Sequence, residues 1–121
     1  MNTNGLPTFD QFMHSPQRNA WVNEVGFEQL YVRKGPYGVH GKLVNTIQIA
    51  NVTVADKGKG VFTKFVNRIQ EQYCLPIVVE QVLQQRFAWH LGRERFLPIS
   101  DGNTFIRYPA TKPAVVAGVL L

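Results

Sequence analysis

Residues 46–73, TIQIANVTVADKGKGVFTKFVNRIQEQY, decide the fold. Residues 46–54 are rich in β-branched side chains, and Ile47, Ile49 and Val54 alternate with polar neighbours as a sheet strand requires. Lys57-Gly58-Lys59-Gly60 breaks that strand. From Val61 the period changes: Val61, Phe62, Phe65, Val66, Ile69 and Tyr73 fall on one side of a helix, with Lys64, Asn67, Arg68, Glu71 and Gln72 on the other. A glycine turn therefore feeds a helix N-terminus.

That arrangement is suited to an anion. The first backbone N–H groups of a helix have no intrahelical acceptor, and the helix dipole adds partial positive charge at the same end. Gly58 and Gly60 let a phosphate approach the main chain, and Lys57 and Lys59 add charge. A plain strand-to-helix connection uses the same residues, so the turn alone leaves both readings open. No Gly-Lys-Ser/Thr stands at the helix start and no third glycine completes a dinucleotide fingerprint, which sets those two phosphate loops aside.

Lys57-Gly58-Lys59-Gly60-Val61-Phe62 after a strand resembles the pyrophosphate loop of the GNAT superfamily of acyl-CoA N-acyltransferases, written Arg/Gln-x-x-Gly-x-Gly/Ala. Downstream, residues 77–83 read as the next strand. Gln84-Gln85-Arg86-Phe87-Ala88-Trp89-His90-Leu91-Gly92-Arg93-Glu94-Arg95-Phe96 is similar to the family's closing segment, a helix that begins near an Asn and ends at Gly-Phe. The resemblance spans about residues 30–108. It implies an α/β (α+β) fold with a mixed, mostly antiparallel sheet flanked by helices, and acetyl-CoA as cosubstrate. It also implies a splayed strand that admits the pantetheine arm, and an acyl carbonyl held against main-chain N–H groups near Val52, Thr53 and Val54. The cofactor-binding set it implies is those three residues with Lys57, Gly58, Lys59, Gly60, Val61, Phe62 and Gln84. The chain departs from the pattern at Lys57, at Phe62, at Gln84 (commonly Asn) and at Arg95 (usually Gly). Aligned on Phe96, Leu91 falls where many members hold a tyrosine acting as general acid.

Working outward toward the N-terminus, residues 27–34 have the content of a strand, and Gly35-Pro36-Tyr37-Gly38 is a turn signal before a strand beginning after Gly41, an antiparallel pair. Thr8 caps a short helix over residues 8–13 with Phe9, Phe12 and Met13 on one face, limited by Pro16. Residues 18–25 read as a second short helical turn burying Trp21, Val22 and Val25. Family members usually have two helices before the central strands, so residues 1–26 are an abbreviated N-terminal region.

Toward the C-terminus, residues 75–83 form the most apolar strand, expected to lie centrally, with Pro76 at its entrance. Phe87, Ala88 and Leu91 give the following helix its apolar side. Residues 96–99 and 104–108 flank Ser100-Asp101-Gly102-Asn103, a hairpin turn. The tail, residues 109–121, ends in eight largely apolar residues, too few to cross a bilayer, which suit packing on the domain or a contact in a homodimer.

The 121 residues, 45% hydrophobic and 17% charged, suit one GNAT-like domain, residues 1–121, with its cofactor half at about 46–96. A net charge of +5 favours an anionic partner without choosing among nucleic acid, an acidic protein and a CoA-type nucleotide. A lone Cys74, read as a small buried hydrophobe after the helix, excludes an internal disulfide and a cysteine zinc cluster. With neither a signal peptide nor a membrane span in the pattern, a soluble protein of the cytoplasm is expected.

Amine acetylation needs a neutral nitrogen, stabilisation of the developing oxyanion and a proton for the thiolate. Gln48 and Asn51 on the strand before the loop do not titrate. Glu80 on the next strand and His90 on the last helix are the candidate bases, each equally readable as a salt-bridged or packing residue. Arg86, Arg93, Arg95 and Arg107 make a basic face, solvated or drawn to acidic partners. The leading expectation is acetyl transfer from acetyl-CoA to an amine of a small molecule or protein. The alternative keeps the fold without the chemistry: an interaction protein, of the compact kind phages and mobile elements encode, binding a macromolecule. Direct nucleic-acid binding ranks last, because no stacking motif with interleaved Lys or Arg is present.

Overall fold

Thr8 opens the first element as expected. Its Oγ1 accepts from the Gln11 N–H at 3.1 Å and the Gln11 Oε1 accepts from the Thr8 N–H at 2.9 Å, a reciprocal capping box at the start of α1, Phe9–Met13. The computed structural model describes residues 5–99 and 103–110. Residues 100–102 of the expected turn at 100–103, and residues 111–121 of the tail, lie outside the described residues. In chain order the remaining elements are β1, Asn19–Trp21; β2, Phe27–Val39; β3, Lys42–Val54; α2, Val61–Tyr73; β4, Ile77–Val79; α3, Gln85–Arg93; β5, Leu97–Ile99; and β6, Thr104–Arg107.

Among the described residues the strands form one six-stranded sheet in the order β1-β2-β3-β4-β6-β5. Only β3 and β4 run parallel, because α2 makes the crossover between them; the other pairs are antiparallel. The architecture is the mixed, mostly antiparallel α+β sheet expected of the sequence, with the apolar β4 among the inner strands.

Two local expectations are corrected. Residues 18–25 do not form a helical turn: Asn19–Trp21 is a strand whose partners lie on β2, with Ala20 opposite Val32 and the Lys34 N–H donating to Arg18 O at 2.9 Å. A three-residue strand draws its hydrogen bonds from its neighbour, so its own pattern is too short to announce it. Trp21 is half-buried and Val22 buried, but Val25 is 98% exposed rather than part of an apolar face. Gly35-Pro36-Tyr37-Gly38 likewise is not the turn. β2 runs through it to Val39, and the chain reverses at His40-Gly41, both at positive φ (48° and 80°), with Val39 opposite Lys42. Pro36 is tolerated because its missing N–H falls on the same edge as that of Lys34, past the end of β1.

The main core lies between the sheet and the helices. Phe9 and Phe12 of α1, Phe62, Phe65, Val66 and Ile69 of α2, and Leu91 of α3 pack on Leu30, Val32, Ile47, Ile49, Ile77 and Val79. Phe9 and Phe27 each meet Phe65 edge-on, with ring centroids 5.4 and 5.2 Å apart. A second cluster, Val39, Val78, Ile99 and Ile106, occupies the other sheet face. The centre of β3 is consequently covered on both sides: Thr46 and Gln48 are buried along with Ile47 and Ile49, where alternation predicted one solvated face. The expected strand at 75–83 shortens to three residues because Gln81 takes a left-handed conformation (φ 55°) and Val82 N–H turns to Asn103 O at 2.7 Å.

Candidate functional site

β3 and β4 part company at the point where their pairing would otherwise continue. Ile47, Gln48 and Ile49 pair with Ile77, Val78 and Val79, and the Glu80 N–H closes the ladder on Ile49 O at 3.0 Å. β4 ends there, while β3 continues to Val54 paired with β2 alone. Among the described residues, the outer edge of Val52, Thr53 and Val54, all half-buried, therefore presents main-chain groups with no strand alongside.

β3 delivers the chain from this opening to the glycine loop. Residues 55–60 are all exposed; Gly58 and Gly60 are left-handed at φ 85° and 71°. Gly60 is the N-cap of α2, no side chain caps that end, and no acidic residue stands in the first turn. The Lys64 N–H to Gly60 O bond at 3.0 Å is the first to close the helix, which leaves the amides ahead of it pointing into the space before the helix. Among the described residues, a Cβ on Gly58 would meet nothing within 4 Å and one on Gly60 only Lys64 Cε at 4.0 Å, so they leave that space open. The Phe62 ring is buried edge-on against Phe87, with centroids 5.2 Å apart, and does not face that space. Gln84, at the N-cap of α3, is exposed and makes no side-chain capping bond.

Gly26, which sequence reasoning missed, holds this end of α2 in place. Its O accepts from the Ala55 N–H at 2.9 Å, its φ is 93°, and a Cβ there would lie 2.6 Å from Val61 Cγ1. Only a residue without a side chain lets the turn before β2 touch the first residue of α2. The one available signal was a glycine ahead of an aromatic strand.

The candidate bases are separated by the sheet. Glu80 accepts a hydrogen bond from Arg33 Nη1 at 2.6 Å, on the face opposite α2, since Arg33 lies opposite Gln48 and Gln48 opposite Val78. His90 lies on the helical side, with Nε2 3.0 Å from Thr63 Oγ1 in the first turn of α2. Leu91 is fully buried in the main core beside Phe96. Hydrocarbon packing thus occupies the tyrosine-like position. The helix ends in a Schellman motif: Phe96 N–H donates to Leu91 O at 2.9 Å and Arg95 N–H to Gly92 O at 3.2 Å, with Arg95 left-handed at φ 71° where the family pattern has Gly.

Two other expectations fail. Arg107 is not on a solvated basic face with Arg86, Arg93 and Arg95; it is 5% exposed beneath α2. Its Nε donates to Gln70 Oε1 at 2.7 Å, Nη2 to Asn67 Oδ1 at 2.9 Å and Nη1 to Glu94 O at 3.2 Å, and Phe96 stacks beneath it. Burial, then the Arg95 charge, pull its pKa down, yet the donors are satisfied by neutral oxygens. Cys74 is exposed rather than buried, because as C-cap of α2 it takes a left-handed conformation that turns it out of the helix. No helix among the described residues is long and apolar enough to cross a membrane.

No family model and no curated protein matches the sequence. Solved structures do resemble the fold. A point mutant of the AtaT toxin bound to the C-terminus of the antitoxin AtaR superposes with a TM-score of 0.52 at 11% identity, over 67% of this chain and 58% of that one. The same mutant toxin with AtaR and acetyl-CoA gives 0.53 at 10% identity, over 77% and 63%. The KacTA–DNA complex gives 0.55 at 10% identity, over 91% and 77%. The chain thus spans about three fifths of the length of the two AtaT chains. These likenesses show a shared fold, the mixed and mostly antiparallel α+β sheet with its flanking helices.

Proposed function

We propose that this chain binds acetyl-CoA and transfers the acetyl group to an amine. The observation that carries the reading is the parting of β3 from β4 next to a helix N-terminus that is bare, uncapped and entered through two left-handed glycines. In this reading the amides of Val61, Phe62 and Thr63 take the pyrophosphate, with Gly58 and Gly60 giving it room and Lys57 and Lys59 attracting it. The free edge at Val52, Thr53 and Val54 polarises the thioester carbonyl, and Gln84 borders the slot. The amine attacks the carbonyl carbon, the C–S bond breaks and CoA leaves as thiolate, a moderately good leaving group that tolerates hydrocarbon at Leu91. The acetyl-CoA-bound AtaT structure supports this assignment through its shared fold.

A second reading, a GNAT-fold protein that binds a macromolecule without turnover, is favoured by one fact: Glu80 and His90 both already have protein partners, Arg33 and Thr63. Calorimetry with acetyl-CoA followed by thiol release over an amine panel separates the two. The enzyme reading expects binding and turnover. Gly60→Asn, which tolerates the left-handed backbone but fills the space before α2, should weaken acetyl-CoA at least about tenfold in a folded protein. Equal affinity would remove the anion site; tight binding with no thiol release from any amine would favour the second reading.

A further inference from the structure

The ion pair at the mouth of the opening says what kind of amine the site is built for. Glu80 is the residue at which β4 leaves β3, and its side chain is 18% exposed; Arg33, reaching over from β2, is 42% exposed. The pair lies on the sheet face that carries neither α2 nor α3, so it borders the opening from the side opposite the glycine loop. Half-buried Tyr31 and Trp21 continue this wall, their rings 5.0 Å apart and tilted, with the Arg33 guanidinium 5.8 Å from the Tyr31 ring.

A simple ammonium ion that takes the other oxygen of Glu80 lies beside the Arg33 guanidinium, a like charge that nothing on the amine offsets. An amine that also carries an anion avoids that repulsion. It can insert into the pair with its nitrogen on Glu80 and its anion on Arg33, so every charge keeps an opposite neighbour. Two hydrogen bonds of ordinary length place the two ends about 3–6 Å apart, which about two to four covalent bonds span. The more exposed Arg33 can pivot to receive the anion while Glu80 stays at the opening.

We propose that Arg33 is a specificity-determining residue and that the acceptor is a primary amine bearing a carboxylate or phosphate about two to four bonds from the nitrogen. This rests on the acetyl-transfer reading above. In the reaction Glu80 takes one proton from the ammonium, the neutral nitrogen bonds to the acetyl carbon as the C–S bond breaks, and the nitrogen's second proton goes to solvent. The proton on Glu80 ends on the CoA thiolate, giving CoA thiol and the N-acetyl product.

The test compares β-alanine and O-phosphoethanolamine with propylamine on the full chain, by thiol release at saturating acetyl-CoA. Both anionic amines, or the one whose anion fits, should exceed propylamine in kcat/KM by about 10- to 100-fold, carried mainly in KM. Arg33→Gln should bring that ratio close to one and Arg33→Lys should restore part of it. A wild-type ratio below about two, or a ratio unchanged in Arg33→Gln, overturns the proposal. Calorimetry of the same three amines on the CoA-loaded protein gives the answer without turnover: no preference for the anionic amines there also overturns it. Acetyl-CoA affinity, measured first, tells failure of this proposal from failure of the cofactor reading.

Discussion

The two ends of α2 are built to opposite specifications. At its C-terminal end the helix is bound from several directions. Arg68 meets Glu24 at 3.1 Å and Asp10 at 3.5 Å, and the Tyr73 hydroxyl donates to Asp10 Oδ1 at 2.7 Å. Gln70 donates to Leu75 O and Arg107 O, and Lys34 ties down the end of α1 through the carbonyls of Phe12, Met13 and Ser15, burial pulling its pKa down. At its N-terminal end there is an exposed loop, no capping side chain and, among the described residues, a side-chain hydrogen bond between Thr63 and His90. Leaving backbone donors unsatisfied costs stability, and the left-handed backbone at Gly60 bars an ordinary Ser, Thr or Asp cap, whose side chain would cost about 1–2 kcal/mol there. On the acetyl-CoA reading proposed above, this bare end has to be positioned from elsewhere, by Gly26 against Val61, by Phe62 on Phe87 and by the firmly held far end.

The sharpest way to break that contrast is at Gly26. Gly26→Ala brings a Cβ to 2.6 Å from Val61 Cγ1 and forces a left-handed alanine. Strain and overpacking together should lower stability by about 3 kcal/mol, with acetyl-CoA affinity falling as the N-terminus of α2 is pushed out of place. Gly58→Ala is the control: the same φ sign, nothing within 4 Å, and so a loss of only about 1 kcal/mol in denaturant titration. Equal losses for the two variants would show that the Gly26 contact does not position the helix.

At the firm end, Tyr73→Phe should cost about 1 kcal/mol at neutral pH by removing the bond to Asp10. It also carries a pH signature. Burial, with the Asp10 hydrogen bond and charge, pushes the Tyr73 pKa from 10.0 up to about 12. A group whose folded pKa is raised contributes stability that is fully present below the unfolded value and is lost as pH climbs through the folded value. The difference in Tm between wild type and Tyr73→Phe should therefore be constant up to about pH 10 and shrink between 10 and 12. A difference that grows over that window would contradict the assigned cause.

These two ends also differ in how legible they were. β3, the glycine loop, α2 and the Thr8 cap are local patterns, each contained in about a dozen residues, and they appear where the sequence puts them. The network at the far end joins Asp10, Glu24, Arg68 and Tyr73 from three segments, and no spacing rule connects them. The Arg33–Glu80 pair is likewise set by register across three strands, which is why Glu80 reads from the sequence only as a lone carboxylate. Arg107 looks basic and exposed until Gln70 and Asn67, on a helix 37 and 40 residues earlier, are seen to enclose it. Pro36 and His40 mislead in the opposite sense, because whether a residue ends a strand depends on what lies beside it.

The lysines flanking the bare end test whether it attracts anions at a distance. With Lys57 and Lys59 both changed to Gln, acetyl-CoA affinity should fall roughly three- to tenfold at low salt and much less at 0.5 M salt, where the screening length is about 4 Å. An equal loss at both salt concentrations would assign the lysines to direct contacts instead.

The smallest effect expected is a gain. Both ends of α2 are flanked by left-handed residues, Gly60 at φ 71° and Cys74 at φ 55°, but only the first is a glycine. A side chain in that conformation costs about 1–2 kcal/mol, and replacing it by glycine costs roughly 0.4–1 kcal/mol through the freer unfolded chain. Cys74 is exposed, and its thiol makes one weak bond, to Glu71 O at 3.6 Å, so little packing is lost. Cys74→Gly should therefore raise stability by about 0.5 kcal/mol in denaturant titration and leave acetyl-CoA affinity unchanged, since Cys74 lies at the end of α2 away from the proposed site. A change in affinity would mean that the two ends are coupled through the helix, and that firmness at one end tunes binding at the other.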